Sequence, residues 1–230
     1  FTSKLSTIDT LSVNQNYSFI DRIFFCFYSF SFYIIKFLFP FNLSTIISYP
    51  EKITEQLPIM YYLSIFFVIL ILFGFKLLIK KFKTLKREII LGSLFFLINI
   101  GLVLHIIPFG GQVIVADRYT YVPYFGLILP IAFYFGGLFE KKIKSTNNIK
   151  SIITTIIVLF VCMFIFISNN RTNVWQNTEA FFTDVIEKND KTAIAYNNRG
   201  VYNFDKGQNL LNNNGDKNKI DELFTKALND

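Results

Sequence analysis

The chain has 230 residues, of which 52% are hydrophobic and 18% aromatic, and its formal net charge is +7. So apolar a composition excludes an ordinary soluble domain and points to a membrane protein with a polar tail. Nor does the excess of Lys and Arg point to nucleic acid, because the cations gather in short connections between apolar segments, where lipid headgroups and topology account for them.

Residues 1–18 form a polar Ser/Thr/Asn stretch that lacks the charged, apolar and small-residue zones of a signal peptide, so it reads as the interior of a longer protein. Five segments then have the length and apolarity of bilayer-crossing helices: roughly 20–39, 58–79, 88–107, 119–139 and 150–168, each close to the ~20 residues a crossing needs. The first carries Asp21, Arg22 and Lys36 near its ends, where charged side chains can reach the interface. The fourth contains Pro123 and Pro130, which predict a kink or a break. Cys26 and Cys162 have no second thiol or histidine at ligand spacing and read as small buried hydrophobes.

The connections set the expected topology. KLLIKKFKTLKRE carries Lys76, Lys80, Lys81, Lys83, Lys86 and Arg87, and EKKIKSTNNIK carries Lys141, Lys142, Lys144 and Lys150, so both belong on the cytoplasmic side. Alternation then puts loops 40–57 and 108–118, and everything after Ser168, on the extracytoplasmic side. In FPFNLSTIISYPEK, Asn42 or Ser44 is expected to cap a short interfacial helix, and Glu51 supplies a carboxylate. His105, the sole histidine, lies at the outer end of the third segment and reads as an interfacial residue, with no partner at helical spacing to make it a ligand or proton shuttle. After the last segment, RTNVWQN brings Arg171 and Trp175, an expected anchor between membrane part and tail.

From residue 169 the composition turns polar, Asn-rich and helical, which divides the chain into a membrane domain, 1–168, and a second region, 169–230. In NTEAFFTDVIEKND the residues Phe181, Phe182, Val185 and Ile186 share one helical face. Measured against the tetratricopeptide helix-turn-helix period, a repeat begins at Ala193, with Tyr196 on the large aromatic position and Gly200 on the close-packing glycine. Phe224 and Ala227 fit its second helix if NLLNNNGDKN is an insertion. Asp190 and Arg199 depart from the proline and leucine the repeat favours, so the region is degenerate but in register. The chain stops inside this helical pattern, and both its ends are expected to be cut.

Among chemical motifs there is no phosphate-cradling glycine loop, no nucleophile elbow and no pair of metal-spaced histidines; no cofactor or metal site is visible. The informative stretch is HIIPFGGQVIVADRYTYVPYFGLILP, a loop loosened by Gly110 and Gly111 that returns to the membrane through Asp117 and Arg118. At that depth Arg118 can offer a bidentate fork to a phosphate in the outer headgroup region, and Tyr119, Tyr121 and Tyr124 can line a groove for an isoprenoid chain or a sugar face. Physics alone leaves a second reading open, in which Arg118 pairs with Asp117 and the tyrosines form an interfacial belt.

The string ADRYTYVPYFGL, one further apolar segment and then RTNVWQNTEAFFTDVIEKNDKTAIAYNNRGVYNF together resemble the transmembrane and tetratricopeptide-repeat glycosyltransferases, the eukaryotic O-mannosyltransferases and their bacterial relatives. FPFNLSTIISYP is similar to the loop before the last spans of that family. The likeness runs from about Phe39 onward and is most specific at the acidic-Arg-Tyr-x-Tyr-x-Pro string, here with Asp117 where Glu is usual. It implies an all-α, polytopic GT-C-type fold with about five transmembrane helices, in a bacterial inner membrane, with the repeats extracytoplasmic. It further implies transfer of a sugar from a polyprenyl-phosphate donor to a protein hydroxyl. On this resemblance Arg118, Asp117, Tyr119 and Tyr121 match the lipid-phosphate site, and the repeats position a protein acceptor. The family's catalytic acid lies in a first outer loop that nothing here matches, so the chain by itself is expected to be inactive. A different class of function is a polytopic scaffold that displays repeats for protein partners without catalysis. A lipid-linked polysaccharide polymerase or ligase would need a large outer loop.

Overall fold

The computed structural model describes residues 17–52, 56–104, 113–140 and 147–230, and among these the secondary structure is all helical apart from two short strands. His105, Gly110 and Gly111 lie outside the described residues. Contacts divide the chain into two compact units, Phe1–Lys141 and Lys142–Asp230.

The first unit begins with α1, Phe19–Leu38. A reciprocal cap starts it: Ser18 Oγ accepts from the Asp21 N–H at 3.2 Å, and Asp21 Oδ2 accepts from the Ser18 N–H at 2.8 Å. Asp21 therefore closes the first turn instead of merely reaching toward an interface. Phe25, Ser29 and Tyr33, spaced by one helical turn and a fraction, are buried along one stripe of α1.

The next helix is α2, Ile59–Lys81, and it runs parallel to α1. The parts that come together advance in the same sense: the Tyr28 and Tyr61 rings are 4.4 Å apart, Ser31 Oγ donates to the Ser64 carbonyl at 3.4 Å, and Phe37 and Leu38 line one cavity with Gly74 and Leu78. Residues 39–58 return the chain along α1, and the contacts record the reversal. Lys36 Nζ donates to the carbonyls of Phe41 and Asn42, Lys52 meets Asp21 at 2.8 Å, and Tyr17 Oη donates to the Pro50 carbonyl at 2.8 Å. This corrects the expectation that segments 20–39 and 58–79 cross in opposite senses. Hydropathy gives a helix its length but not its direction, and a connection this long, at ~3.3 Å per extended residue, easily spans a helix of about 30 Å.

The described residues of the return segment form no helix, so the cap expected of Asn42 or Ser44 is absent among them; Ser44 Oγ instead donates to the Ile46 carbonyl at 2.9 Å, and Ile47–Ser48 form strand β1. β1 pairs antiparallel with β2, Val113–Val115, matching Ile47 to Val115 and Ser48 to Val113 across an irregularity in register. Pairing consumes backbone groups that would otherwise lie unsatisfied beside α1.

A short 3-10 turn, Lys83–Leu85, leads from α2 into α3, Lys86–Gly101, which ends earlier than the predicted 88–107 segment. Another 3-10 turn, Asp117–Thr120, precedes α4, Pro123–Glu140. Pro123 thus opens the helix, where its missing N–H costs nothing, while Pro130 lies inside it. α3 and α4 meet backbone to backbone at Gly92 and Gly126. The buried core joins Phe25 and Tyr33 of α1, Tyr61 of α2, Phe96 and Ile100 of α3, and Ile114 and Val115 of β2.

The second unit starts with α5, Asn147–Val174, which continues through the composition change at residue 169 without a break. Then come α6, Thr178–Lys188, α7, Ala193–Asn212, and α8, Lys217–Asn229. Arg171 Nη1 at the end of α5 donates to both oxygens of Asp184 at 2.8 Å, and the Trp175 ring packs on Phe181 at 4.8 Å. These two residues fasten the long helix to α6. α7 starts at Ala193, where the period placed it, and runs into the Asn-rich insertion as far as Asn212, with α8 beginning at Lys217.

Two helices are long and apolar enough to cross a membrane, Ile59–Lys81 and Ser151–Val174, and only 6% and 0% of their apolar windows is buried. They are therefore not core helices, and their apolar surfaces face outward on nearly every side. For that reason Cys162, expected to be buried, is exposed, whereas Cys26 is half-buried.

Candidate functional site

α1 is the base of the site. Its buried stripe offers two hydroxyls to the chain entering the site: Ser29 Oγ donates to the Ile114 carbonyl at 3.5 Å, and Tyr33 Oη accepts from the Ala116 N–H at 3.3 Å. A third bond, from Tyr124 Oη to the Tyr33 carbonyl at 2.8 Å, ties the first turn of α4 to the same place. The segment between these ties, residues 117–122, is the one that carries the predicted site residues.

Within it the 3-10 turn is closed by Thr120 Oγ1, which donates to the Asp117 carbonyl at 2.6 Å. The turn directs successive side chains apart. Arg118 points outward and is exposed; its guanidinium lies 5.1 Å over the ring of Tyr119, with Nη1 3.5 Å from the Thr45 carbonyl on the return segment. Asp117 is half-buried on another side. Among the described residues Arg118 makes no ion pair, so the expected pairing with Asp117 is replaced by a ring and a carbonyl. A ring face and one long carbonyl contact orient a guanidinium without neutralising it, which leaves N–H donors directed outward.

Of the predicted tyrosines, Tyr119 and Tyr124 turn inward against the core, whereas Tyr121 is 65% exposed beside exposed Val122. Structure therefore brings Arg118 and Tyr119 together, with Tyr121 at the rim, and gives Tyr124 a structural role. Beyond the strands, Tyr17 and Tyr49 stack at 5.4 Å, and burial pushes both hydroxyls above the usual tyrosine value, which keeps them protonated donors.

Tyr33 and Ser29 were not singled out by the sequence reading. The signal is nonetheless present in FFCFYSFSFYIIKF, where hydroxyls recur on one face of an otherwise apolar helix and so need buried partners. Replacing Tyr33 by Phe is expected to leave the buried Ala116 N–H without its acceptor and to destabilise the first unit by about 1–3 kcal/mol. Thermal unfolding of the reconstituted chain measures this; an unchanged midpoint would show that the bond contributes nothing.

In the second unit the four residues chosen from the register come together. A Cβ on Gly200 would lie 3.2 Å from the Ala227 carbonyl, so α7 and α8 approach closely there, and Tyr196, Gly200, Phe224 and Ala227 all line one open groove of about 830 Å³. Arg199, where the period favours leucine, forks onto Asp230 and reaches Thr183 Oγ1 at 3.1 Å. The hydrogen bonds it donates to the Asp230 carboxylate hold the guanidinium even more firmly charged than usual.

No cluster of His, Cys, Asp and Glu with metal-binding geometry occurs among the described residues. No protein-family model, curated protein or solved structure matches the chain.

Proposed function

We propose that this chain is the C-terminal membrane portion of a GT-C-type glycosyltransferase that takes a sugar from a polyprenyl-phosphate donor on the extracytoplasmic side. In this reading α2, α3, α4 and α5 cross the bilayer, a count one lower than the five segments expected. α1, being parallel to α2, dips in from the extracytoplasmic side and returns through β1. Strand pairing and the Lys36 contacts satisfy the backbone of that re-entrant element, as membrane depth requires. The tetratricopeptide-like α7 and α8 then lie outside the cytoplasm.

The observation that carries the reading is Arg118: an exposed guanidinium, oriented by the Tyr119 ring and the Thr45 carbonyl, without an ion-pair partner among the described residues and flanked by exposed Tyr121 and Val122. A cation so placed beside apolar and aromatic surface suits a phosphate with a hydrocarbon tail. The general base for the acceptor hydroxyl would come from the first outer loop of the family, which has no counterpart here.

The test is binding of polyprenyl phosphate against polyprenol to the reconstituted 230-residue chain. Saturable binding that requires the phosphate is expected; equal uptake of the alcohol would sink the reading. The groove along Tyr196, Gly200 and Phe224 favours a second reading, a scaffold for protein segments without catalysis. That reading predicts no phosphate-dependent binding.

A further inference from the structure

The first unit contains an apolar cavity whose lining does not include Arg118. Its volume is about 470 Å³, and its walls include Phe37 from the end of α1, Gly74 and Leu78 from α2, Leu85 from the 3-10 turn, and Pro130 and Tyr134 from α4. Almost nothing polar faces it, and it is the size of a small-molecule site. Arg118 precedes the first turn of α4, whereas the cavity lies along that helix from Leu127 to Tyr134, so the two are at different depths.

One wall is the basic connection. Phe82, which lines the cavity, packs edge-on against Tyr134 at 5.3 Å, and Lys81 Nζ lies 5.5 Å from the centre of the Phe82 ring. Lys80, Lys83, Lys86 and Arg87 of the same connection are exposed, and Leu85 between them lines the cavity. A slot for hydrocarbon walled in part by a connection that carries exposed cations matches one kind of molecule, with an acyl chain at one end and a negative headgroup at the other.

We propose that this cavity holds one acyl chain of an anionic glycerophospholipid of the cytoplasmic leaflet, whose phosphate lies against Lys81, Lys83 and Lys86. The inference rests on the membrane reading above, which puts the basic connection on the cytoplasmic side. It concerns a second lipid, distinct from the sugar donor. The lipid would fill the gap under the end of α1, packing the re-entrant element against α2 and α4. Gly74 leaves the slot open: a Cβ added there meets nothing within 4 Å.

The experiment uses the full chain carrying Tyr134→Trp in a Trp175→Phe background, reconstituted in phosphatidylcholine vesicles that contain a small fraction of dibrominated phosphatidylglycerol or dibrominated phosphatidylcholine. Expected is half-maximal quenching of the Tyr134→Trp indole at a several-fold lower fraction of the brominated anionic lipid. Lys81→Ala, Lys83→Ala and Lys86→Ala combined should erase that preference, and Gly74→Leu, by filling the slot, should weaken quenching by both lipids. Equal quenching by the two lipids, or a preference that survives the triple substitution, overturns the proposal while leaving the membrane reading intact. Absence of quenching by either lipid overturns both. Displacement of the brominated anionic lipid by polyprenyl phosphate, lost in Arg118→Ala, would assign the slot to the donor's tail and overturn the proposal as well.

Discussion

Arg118→Ala is expected to weaken polyprenyl-phosphate binding by roughly 10- to 100-fold, because a hydrogen bond to a charged group is worth about 1.5–3 kcal/mol and each 1.4 kcal/mol is a factor of ten. The guanidinium is already oriented by the Tyr119 ring and the Thr45 carbonyl, so little order remains to be imposed when a phosphate arrives. Arg118→Lys keeps the charge but loses the planar fork and its stacking, and should fall between wild type and alanine. Polyprenol, which lacks the phosphate, should bind all three alike. In a longer protein that includes the catalytic loop, sugar transfer should fall with binding in the same order. Binding isotherms of the reconstituted chain decide the matter: an alanine variant with unchanged affinity for the phosphate removes Arg118 from the site.

Much of this arrangement was legible in the sequence, and the parts that were not share a cause. Apolar length located the helices at 20–39, 58–79 and 150–168, and the helix start expected at Ala193 is where α7 begins, because these signals depend on residues close together in the chain. The ADRY string was visible as an oddity for the same reason. What escaped was long-range: that α1 lies parallel to α2, that β1 meets β2, and that Tyr33 holds Ala116 across a separation of 83 residues. The opposite senses expected of segments 20–39 and 58–79 did not hold, because hydropathy carries no direction and a long connection can return along α1. Of the two readings left open for Arg118, the ion pair with Asp117 does not form, because a 3-10 turn, with about three residues per turn, sends neighbouring side chains to different sides.

Gly126→Val is expected to cost the first unit about 3 kcal/mol or more, the upper end of what overpacking does, because the collision is with backbone and no side chain can turn away. A Cβ on Gly126 would stand 2.3 Å from the Gly92 carbonyl oxygen and 2.8 Å from the Phe96 nitrogen, and a Cβ on Gly92 would stand 2.2 Å from the Gly126 oxygen. The approach depends on Pro130, four residues beyond Gly126: proline has no N–H, so the Gly126 carbonyl loses its helical donor and is free to face Gly92 across the helix pair. Separating α3 from α4 would also pull Tyr124 off Phe96, whose rings lie 6.5 Å apart, and strain its 2.8 Å bond to the Tyr33 carbonyl. The loop that presents Arg118 is anchored through those contacts, so the variant should lose both thermal stability and phosphate-dependent binding. Gly74→Ala and Gly136→Ala are the controls, since a Cβ at either position meets nothing within 4 Å, and both should unfold with wild type. Thermal unfolding in detergent reads the difference, and a Gly126→Val midpoint equal to that of the two controls would mean that the helices do not meet at these glycines.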